Sequence, residues 1–328
     1  MNEPIKKIAV LTSGGDAPGM NAAIRAVVRA CTYYRIDCIG VYRGYEGLIE
    51  GDFETLTGRH VSNIISKGGT ILKSARSKEF MTTEGREKAH ENLKKAGVGA
   101  LIVIGGDGTF TGGLKFIQEF NFPVIGIPGT IDNDIYGTDN TIGYDTALNT
   151  VVDVIDKIRD TAGSHNRLFF VEVMGRDAGF IALNTGIGAG AEEILIPEQD
   201  LGLDKLEASL TRGREKGKTS SIVVVTEGDK IGKSVFELAD YIKEKYPKYD
   251  IRVSVLGHMQ RGGSPSCFDR VLATRLGVAA VEFLLDRVSG VMVGVVNNEV
   301  VTVGLNKAIK LNNEIDKELL KVAEITSV

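Results

Sequence analysis

Two carboxylates stand one residue apart in the segment Pro128-Gly129-Thr130-Ile131-Asp132-Asn133-Asp134. The segment follows the apolar run Val124 to Ile127, which is typical of a buried strand. In open α/β sheets, ligands bind at the carboxyl ends of the strands. Asp132 and Asp134 fit either turn chemistry or a general base with an electrostatic partner. The segment by itself leaves both interpretations open.

Two further strand-like runs end in glycines followed by a carboxylate. Ile8 to Leu11 leads into Thr12-Ser13-Gly14-Gly15-Asp16, and Leu101 to Ile104 leads into Gly105-Gly106-Asp107-Gly108-Thr109. Glycine lets backbone amides approach a phosphate closely, and a carboxylate such as that of Asp107 suits a hard cation such as Mg²⁺. Tight strand-to-helix turns are the plainer explanation of each run. Three such ends together predict one site for a polyphosphate and its metal ion.

Strands and helices alternate along the chain. Besides the three runs above, the apolar pattern predicts strands over 36–42, 168–173, 222–226 and 251–256, helices over 20–34, 83–95, 114–120, 145–161, 204–216, 235–245 and 273–285, and a hairpin of 291–296 with 300–303. Alternation at this spacing predicts an α/β fold of mostly parallel sheets flanked by helices, a Rossmann-like sandwich. A length of 328 residues exceeds the usual limit of a single core and predicts two domains.

Composition excludes several classes of protein. The formal net charge of −4 gives no support to nucleic-acid binding, which usually needs a basic surplus. Apolar residues make up 43% and charged residues 25%, which is ordinary for a globular protein, and no apolar run approaches membrane-spanning length. Cys31, Cys38 and Cys267 form no CxxC pair, which favours a reducing compartment. We therefore expect a cytoplasmic protein.

Two more segments of distinctive composition are Glu172-Val173-Met174-Gly175-Arg176 and Leu256-Gly257-His258-Met259-Gln260-Arg261-Gly262-Gly263. With the three segments above, they resemble in kind and order the motifs of the bacterial ATP-dependent 6-phosphofructokinase family. The resemblance extends from Ile8 to about Gly263. It implies interleaved domains, with 1–142 and 259–309 forming a larger ATP-binding domain. Residues 143–258 and 310–328 would form a smaller fructose 6-phosphate-binding domain.

The resemblance implies roles in phosphoryl transfer from ATP to the sugar. Asp132 would be the general base toward the 1-hydroxyl, Asp134 would assist it, and Asp107 would hold Mg²⁺. Contacts to the transferring phosphoryl group would come from Thr130, Arg76, Gly15 and Arg176. The ATP contacts would be Gly15, Tyr45, Arg76, Ser77, Gly106, Asp107, Gly108 and Thr109. Tyr45 equally fits a packed aromatic residue.

For fructose 6-phosphate, the resemblance implies Thr130, Asp132, Asp134, Arg167, Met174, Gly175, Arg176, Glu227, Arg252, His258 and Arg261. Arg167 and Arg252 would reach the 6-phosphate bound to a neighbouring subunit, which predicts a homotetramer with shared active sites. The residues alone leave alternatives, because Glu227 also fits a strand-end turn and His258 also fits a structural role.

An effector site for ADP or phosphoenolpyruvate is a further implication. The matching residues are Arg25, Arg29, Arg59, Arg159, Glu192 and Lys218. Thr219 and Ser220 stand where relatives carry a basic residue and a histidine, so the sequence predicts a weakened effector response. Met81 is another departure, since many members carry an arginine there for the nucleotide phosphates.

The donor is predicted from two glycines. Pyrophosphate-using relatives carry aspartate at the position of Gly108 and lysine at that of Gly129, so the chain is expected to use ATP. A pyrophosphate-dependent phosphofructotransferase is an alternative, and so is a non-catalytic nucleotide-sensing relative, although such a protein would be expected to lose Asp132, Asp107 or Arg76. A lipid or dinucleotide kinase would share only the segment from Gly105 to Thr109.

Overall fold

A computed structural model of the chain describes residues 4–162, 167–199, 203–215, 220–228, 234–247 and 249–327. Contacts within the chain divide it into two compact units. The first unit comprises Met1–Ile131, Ile135–Thr146 and Arg261–Asn313, and the second comprises Asp132–Asp134, Ala147–Gln260 and Glu314–Val328. The assignment of ATP to one domain and of fructose 6-phosphate to the other stays a prediction.

The strands of the described residues are, in chain order, β1 (Lys7–Thr12), β2 (Asp37–Val41), β3 (Phe53–Leu56), β4 (Ala100–Gly105), β5 (Val124–Pro128), β6 (Arg167–Val173), β7 (Glu193–Leu195), β8 (Ser221–Thr226), β9 (Asp250–Val255), β10 (Val291–Val296) and β11 (Glu299–Gly304). The helices are α1 (Met20–Tyr33), α2 (Gly44–Glu50), α3 (Thr83–Lys95), α4 (Asp107–Phe120), α5 (Tyr144–Ala162), α6 (Phe180–Gly188), α7 (Leu203–Glu215), α8 (Val235–Lys245), α9 (Cys267–Leu285), α10 (Leu305–Lys310) and α11 (Lys317–Thr326).

The first unit is built on a seven-stranded sheet with the order β11-β10-β5-β4-β1-β2-β3. The five central strands run parallel, and the edge strands β3 and β11 pair antiparallel with their neighbours. β4 is buried at every position, as expected for a strand covered on both faces. Thr12 of β1 pairs with Ile104 of β4, and Gly105 pairs with Pro128 of β5. The carboxyl ends of these three strands therefore lie side by side.

The second unit contains a four-stranded parallel sheet with the order β7-β8-β6-β9. One face packs Leu168, Phe170, Val223 and Val225 against apolar side chains of α7 and α8. β9 is an edge strand with no fully buried position. Across the described ranges, no helix is long and apolar enough to cross a membrane.

The structure confirms the α/β class, the mostly parallel sheets and the hairpin of β10 with β11. Several elements were not predicted, namely α2, α6, α10, α11, β3 and β7. Gly44 and Gly47 in α2, and Gly186 and Gly188 in α6, weaken the helical signal that an apolar stripe would give. These helices form because tertiary packing overrides their low propensity.

A buried carboxylate joins the beginnings of α5 and α9. The side chain of Asp269 is inaccessible to solvent and accepts hydrogen bonds from the backbone N–H groups of Gly143 and Thr146, each at 2.8 Å, and from the Thr146 hydroxyl. Ser266 caps α9 by accepting from the Asp269 N–H, at 3.2 Å. Burial raises the pKa of the Asp269 carboxyl, although the bonds from Thr146 and Gly143 lower it. Asp269 thus supplies partners to N–H groups that the first turn of α5 would leave unsatisfied.

We expect Asp269→Asn to destabilise the fold. The substitution places an NH₂ group where a carboxylate oxygen accepts from N–H donors. A buried hydrogen-bonding group left without a partner costs about 1–3 kcal/mol in the free energy of unfolding. Urea denaturation followed by circular dichroism measures this loss, and Asp286→Asn, at an exposed position just after α9, is the matched control.

The pH dependence of this difference has a definite sign. Because the folded-state pKa of Asp269 is raised, its contribution to stability is fully present below the unfolded-state pKa and is lost as pH rises through the folded-state value. Asp269→Asn lacks this titration. The stability difference between the two proteins should therefore widen from about pH 7 toward about pH 4. Equal urea midpoints, or a difference that narrows toward acid, would contradict the assignment.

Candidate functional site

The loops after β1, β4 and β5 are held together by short contacts. The Thr109 hydroxyl donates to the Ser13 carbonyl at 3.1 Å, and the Gly129 N–H donates to the Gly105 carbonyl at 3.0 Å. A Cβ built on Gly105 would stand 2.4 Å from the Ser13 oxygen, so this position needs glycine. The three segments that sequence predicts to form one polyphosphate site are therefore neighbours.

Asp107 is the first residue of α4, directly after Gly106, which precedes the helix. A helix N-terminus favours anions through its free N–H groups and its dipole. A Cβ built on Gly108 would meet no atom within 4 Å, whereas one built on Gly129 would lie 3.1 Å from both Ile104 and Met20. The space beside Gly108 is open, and that beside Gly129 is filled by the core.

Two of the residues predicted to bind nucleotide are packed inside the first unit. The Tyr45 side chain is 5% exposed, stacks on Phe80 at 4.0 Å between ring centroids, and donates from its hydroxyl to the Thr109 carbonyl. Burial raises the pKa of the Tyr45 hydroxyl. The structure thus favours the packed-aromatic alternative for Tyr45 over an adenine contact. The Thr109 hydroxyl is likewise engaged by Ser13, so it links loops.

The segment around Arg76 lacks regular secondary structure, and Arg76 itself is exposed. Ser77 accepts a hydrogen bond from the Phe80 N–H at 3.2 Å, which shapes the 3₁₀ turn Glu79–Met81. Arg86, which sequence did not single out, supports this turn from beneath. Its guanidinium is nearly buried and makes two 2.6 Å bonds to Glu119. It also donates to the carbonyls of Phe80 and Met81, at 3.0 and 2.8 Å.

Arg261 belongs to the first unit and lies against the loop after β1. Its guanidinium donates to the Asp16 carbonyl at 3.2 Å, and a Cβ on Gly15 would stand 2.7 Å from the same group. Gly15 therefore makes room for the Arg261 side chain. Arg261 was predicted to bind the phosphate of the sugar, and Gly15 was predicted to contact the transferring phosphoryl group. A phosphate group beside this loop would therefore meet the positive charge of the Arg261 guanidinium.

In the second unit, the carboxylate of Asp132 faces Arg176. The two side chains approach to 3.7 Å between Asp132 Oδ2 and Arg176 Nε. Asp132 is nearly buried, and the Arg176 side chain is 61% exposed. Asn133 and Arg176 have positive φ angles of 54° and 52°, a left-handed conformation uncommon for residues other than glycine. Such strain is often retained at functional sites because the surrounding structure enforces it.

The ends of β6 and β8 carry the next group of predicted residues. Gly175 has a φ of 146°, and a Cβ there would stand 2.4 Å from the Ala178 carbonyl, so only glycine fits. Glu227 continues the strand ladder through a 2.7 Å bond from its N–H to the Val173 carbonyl. Burial, and then the charge of Glu227, raise the pKa of the Glu172 carboxyl. Glu227 thus lies beside a second acid that was not predicted.

Arg167 and Arg252 stand on adjacent strands and share one carboxylate. Asp250 accepts from Arg167 Nε at 3.1 Å and from Arg252 Nη2 at 3.1 Å. Asp250 was missed, although it precedes Arg252 by two residues, a spacing that places both side chains on one face of a strand. His258 is exposed in the 3₁₀ turn Gly257–Arg261.

The predicted effector residues fall into two groups. In the first unit, Arg29 and Arg59 line a surface depression of 860 Å³, and Arg25 is on α1 with Arg29. In the second unit, Arg159 lies 3.8 Å from Glu192 and also donates to the Ala189 and Gly190 carbonyls at the end of α6. Lys218 and Thr219 lie outside the described residues.

The candidate ligands for Mg²⁺ in the described part of the chain are single carboxylates. Within the described part of the chain, no group of three or more His, Cys, Asp or Glu side chains is arranged to hold a metal ion. Mg²⁺ is usually bound by one or two carboxylates together with substrate phosphates and water. Asp107, half-buried at the start of α4, fits that kind of site.

Comparison with known proteins gives a consistent result. The sequence matches the phosphofructokinase family over residues 7–284. ATP-dependent 6-phosphofructokinase 2 of Bacteroides thetaiotaomicron is 55% identical over 324 residues, covering 99% of this chain and 99% of that protein. ATP-dependent 6-phosphofructokinase 1 of Thermus thermophilus is 53% identical, covering 99% of this chain and 100% of that protein.

Solved structures show the same architecture. Phosphofructokinase from Saccharomyces cerevisiae superimposes with a TM-score of 0.86 at 38% identity, over 98% of this chain and 47% of that one. This chain therefore spans about half of the yeast chain. A pyrophosphate-dependent phosphofructokinase from Marinobacter aquaeolei has a TM-score of 0.84 at 21% identity, covering 99% of this chain and 92% of that one, and shares the fold.

Proposed function

The chain belongs to the phosphofructokinase family, and we propose how its residues carry out the ATP-dependent 6-phosphofructokinase reaction. That reaction transfers the γ-phosphoryl group of ATP to the 1-hydroxyl of fructose 6-phosphate. The observation that carries the proposal is the nearly buried Asp132 carboxylate facing the Arg176 guanidinium, at 3.7 Å. It combines a base for the hydroxyl proton with a cation for the phosphoryl charge.

Asp132 acts as the general base. Its carboxylate takes the proton of the 1-hydroxyl as the hydroxyl oxygen attacks the γ-phosphorus, and the bond to the β–γ bridging oxygen breaks to release ADP. Asp134, two residues on, orients Asp132 and adds to the local field. Arg176 balances the Asp132 charge before the reaction and meets the phosphoryl oxygens during it. Arg76 and the Thr130 hydroxyl contact the same oxygens.

The glycine loops of the first unit hold the triphosphate. Backbone amides near Gly15, Gly106 and Gly108, with the dipole of α4, face the phosphates, and Ser77 borders the same segment as Arg76. Asp107 would hold Mg²⁺, which when bound would neutralise charge on the phosphates of ATP. Tyr45 and Thr109 support these loops from within.

ATP, and not pyrophosphate, is the donor. A nucleotide needs room beside the β-phosphate, and the open space next to Gly108 supports such a donor. At Gly129 a Cβ would already lie 3.1 Å from Ile104 and Met20, so a lysine that would bind free pyrophosphate would have to displace these side chains. The relatives more than half identical to this chain carry names that specify ATP.

Fructose 6-phosphate is held through its hydroxyls and its phosphate. Met174, Gly175 and Glu227 border the sugar, with Glu227 accepting from hydroxyls, while His258 and Arg261 serve the phosphate end. Arg167 and Arg252 complete the phosphate site of a neighbouring subunit in a homotetramer. This assembly is supported by the edge position of β9 and by Val255 and Met259, which are 49% and 50% exposed. A cytoplasmic location is part of the proposal.

Asp132→Asn should lower kcat about 10²–10⁴-fold, the range for losing general-base assistance. The amide keeps the shape of the side chain, so the KM values for both substrates should change much less. Steady-state assays with fructose 6-phosphate and either ATP or pyrophosphate identify the phosphoryl donor. The same assays give the change in kcat and KM that the substitution causes.

Asp240→Asn is the control, because Asp240 is exposed on α8 and outside the proposed site. It should turn over like the wild type. Near-normal kcat in Asp132→Asn would remove Asp132 as the base. Turnover with pyrophosphate and none with ATP would contradict the proposal that ATP is the phosphoryl donor.

Shared sites predict complementation between variants. Arg252→Ala and Asp132→Asn subunits should each be poorly active alone. When they are mixed, dissociated and re-associated, hybrid tetramers gain sites in which both residues are intact, so part of the activity should return. Each variant re-associated with itself is the control. Verified hybrids with no recovered activity, or a fully active monomer, would contradict subunit sharing.

The effector site is proposed to respond weakly to ADP or phosphoenolpyruvate. The residues proposed to contact the effector are Arg25, Arg29, Arg59, Arg159, Glu192 and Lys218. Thr219 and Ser220 offer hydroxyls in place of positive charge, and a charge-assisted bond is roughly twice as strong as a neutral one. Fructose 6-phosphate saturation curves at increasing effector should shift little. A large shift at low micromolar effector would show that the positions were wrongly assigned.

A further inference from the structure

Gln260 is buried in the 3₁₀ turn Gly257–Arg261 and has no exposed surface. Its side chain reaches backbone groups of two loops that the proposed function assigns to fructose 6-phosphate. We propose that Gln260 is a positioning residue for this substrate, fixing the loop after β6 and the turn after β9 in one arrangement without touching the sugar. The inference rests on the proposed function for the identity of the substrate.

The strand ladder shows why a side chain is needed here. At the end of β6, the Glu172 carbonyl accepts from the Leu256 N–H at 3.0 Å, and the Val173 carbonyl accepts from the Glu227 N–H at 2.7 Å. β6 then ends, and the next residue, Met174, is buried. Its N–H donates to Gln260 Oε1, at 3.2 Å. Gln260 therefore supplies an acceptor where the ladder has stopped.

The other end of the same amide is also used. Gln260 Nε2 donates to the Gly257 carbonyl at 3.1 Å. A primary amide has one acceptor and one donor group in a plane, so it can stand in for a peptide unit of a neighbouring strand. Neither a carboxylate nor an apolar side chain of this size can serve both partners. Gln260 thus connects Met174 to the turn that carries His258.

The backbone between these points depends on such a connection. Gly175 and Arg176 both have positive φ, and the Ala178 N–H donates to the Gly175 carbonyl at 3.0 Å. Arg176, within this turn, approaches the Asp132 carboxylate to 3.7 Å. Conformations of this kind persist only where surrounding contacts over-determine them. The bond to Met174 is the contact immediately before the turn.

Two substitutions test the role. Gln260→Met keeps the length and leaves both backbone groups without a partner, so KM for fructose 6-phosphate should rise about tenfold or more, the scale of one lost buried hydrogen bond. KM for ATP should stay within about twofold of the wild type, because the triphosphate loops are positioned separately. Gln118→Glu, at an exposed position on α4, is a matched control for the second variant.

Gln260→Glu gives a signature that a merely structural role would not. The ionised carboxyl accepts from Met174 but repels the Gly257 carbonyl, whereas the protonated carboxyl can serve both. The KM for fructose 6-phosphate, divided by that of the wild type at each pH, should therefore fall toward one as pH decreases from about 8 to about 6. Glu172, Glu227 and His258 stand on the same loops in both proteins, and division by the wild-type KM at each pH corrects for the pH effects that the two proteins share.

The outcomes distinguish a failure of the proposed function from a failure of the positioning role of Gln260. Wild-type enzyme that fails to phosphorylate fructose 6-phosphate with ATP would overturn the proposed function. Given wild-type activity, a selective rise in KM for the sugar phosphate with recovery of Gln260→Glu in acid supports the positioning role. Equal rises in both KM values, a loss of kcat alone, or a pH-independent ratio would overturn it. If Gln260→Met is insoluble, the pH dependence of the KM ratio for Gln260→Glu still tests the positioning role.

Discussion

Where parallel strands end, the hydrogen-bond ladder stops while the chain is still buried, and each N–H and C=O group left there needs a new partner. Side chains supply those partners in this protein. The Thr109 hydroxyl serves the Ser13 carbonyl after β1, Gln260 serves the N–H after β6, and Asp269 serves the first turn of α5. The loops that carry the proposed chemistry are therefore fixed by side chains that bond their backbone. The positions of these loops depend on residues that do not reach the substrate.

Internal hydrogen-bond partners also explain how a chain with a negative net charge could bind anionic substrates. A chain with a net charge of −4 is proposed to bind two anionic substrates. Its arginines are held in place by internal acceptors: Arg176 by Asp132, Arg252 by Asp250, and Arg261 by a carbonyl. A guanidinium has five N–H donors, so one such acceptor fixes its position and leaves other donors for a phosphate. The acids around the site thus orient the cations, and the positive potential is local.

Patterns that are local in sequence could be predicted. The parallel α/β class, the final hairpin and the glycine loops after β1, β4 and β5 follow from apolar periodicity and from glycine beside acid. Contacts between distant segments could not. Tyr45 has the same sequence context whether it packs on Phe80 or faces a ligand, and only the fold decides. The partnership of Asp269 with α5 and that of Arg86 with Glu119 join residues far apart in the chain, and no period reveals them.

The interleaving of the two units also constrains how the protein is made. β10 lies beside β5, with Val291 paired to Ile125, yet the whole of the second unit except its last helix is synthesised between them. Until β10 leaves the ribosome, β5 is an open sheet edge, and an open edge can pair with another chain. Domains that are continuous in sequence can fold one after the other during translation, but the first unit here cannot. Its large sheet is completed only after Ala147–Gln260 of the second unit has been made, so the nascent chain is exposed to misassembly for as long as that synthesis takes.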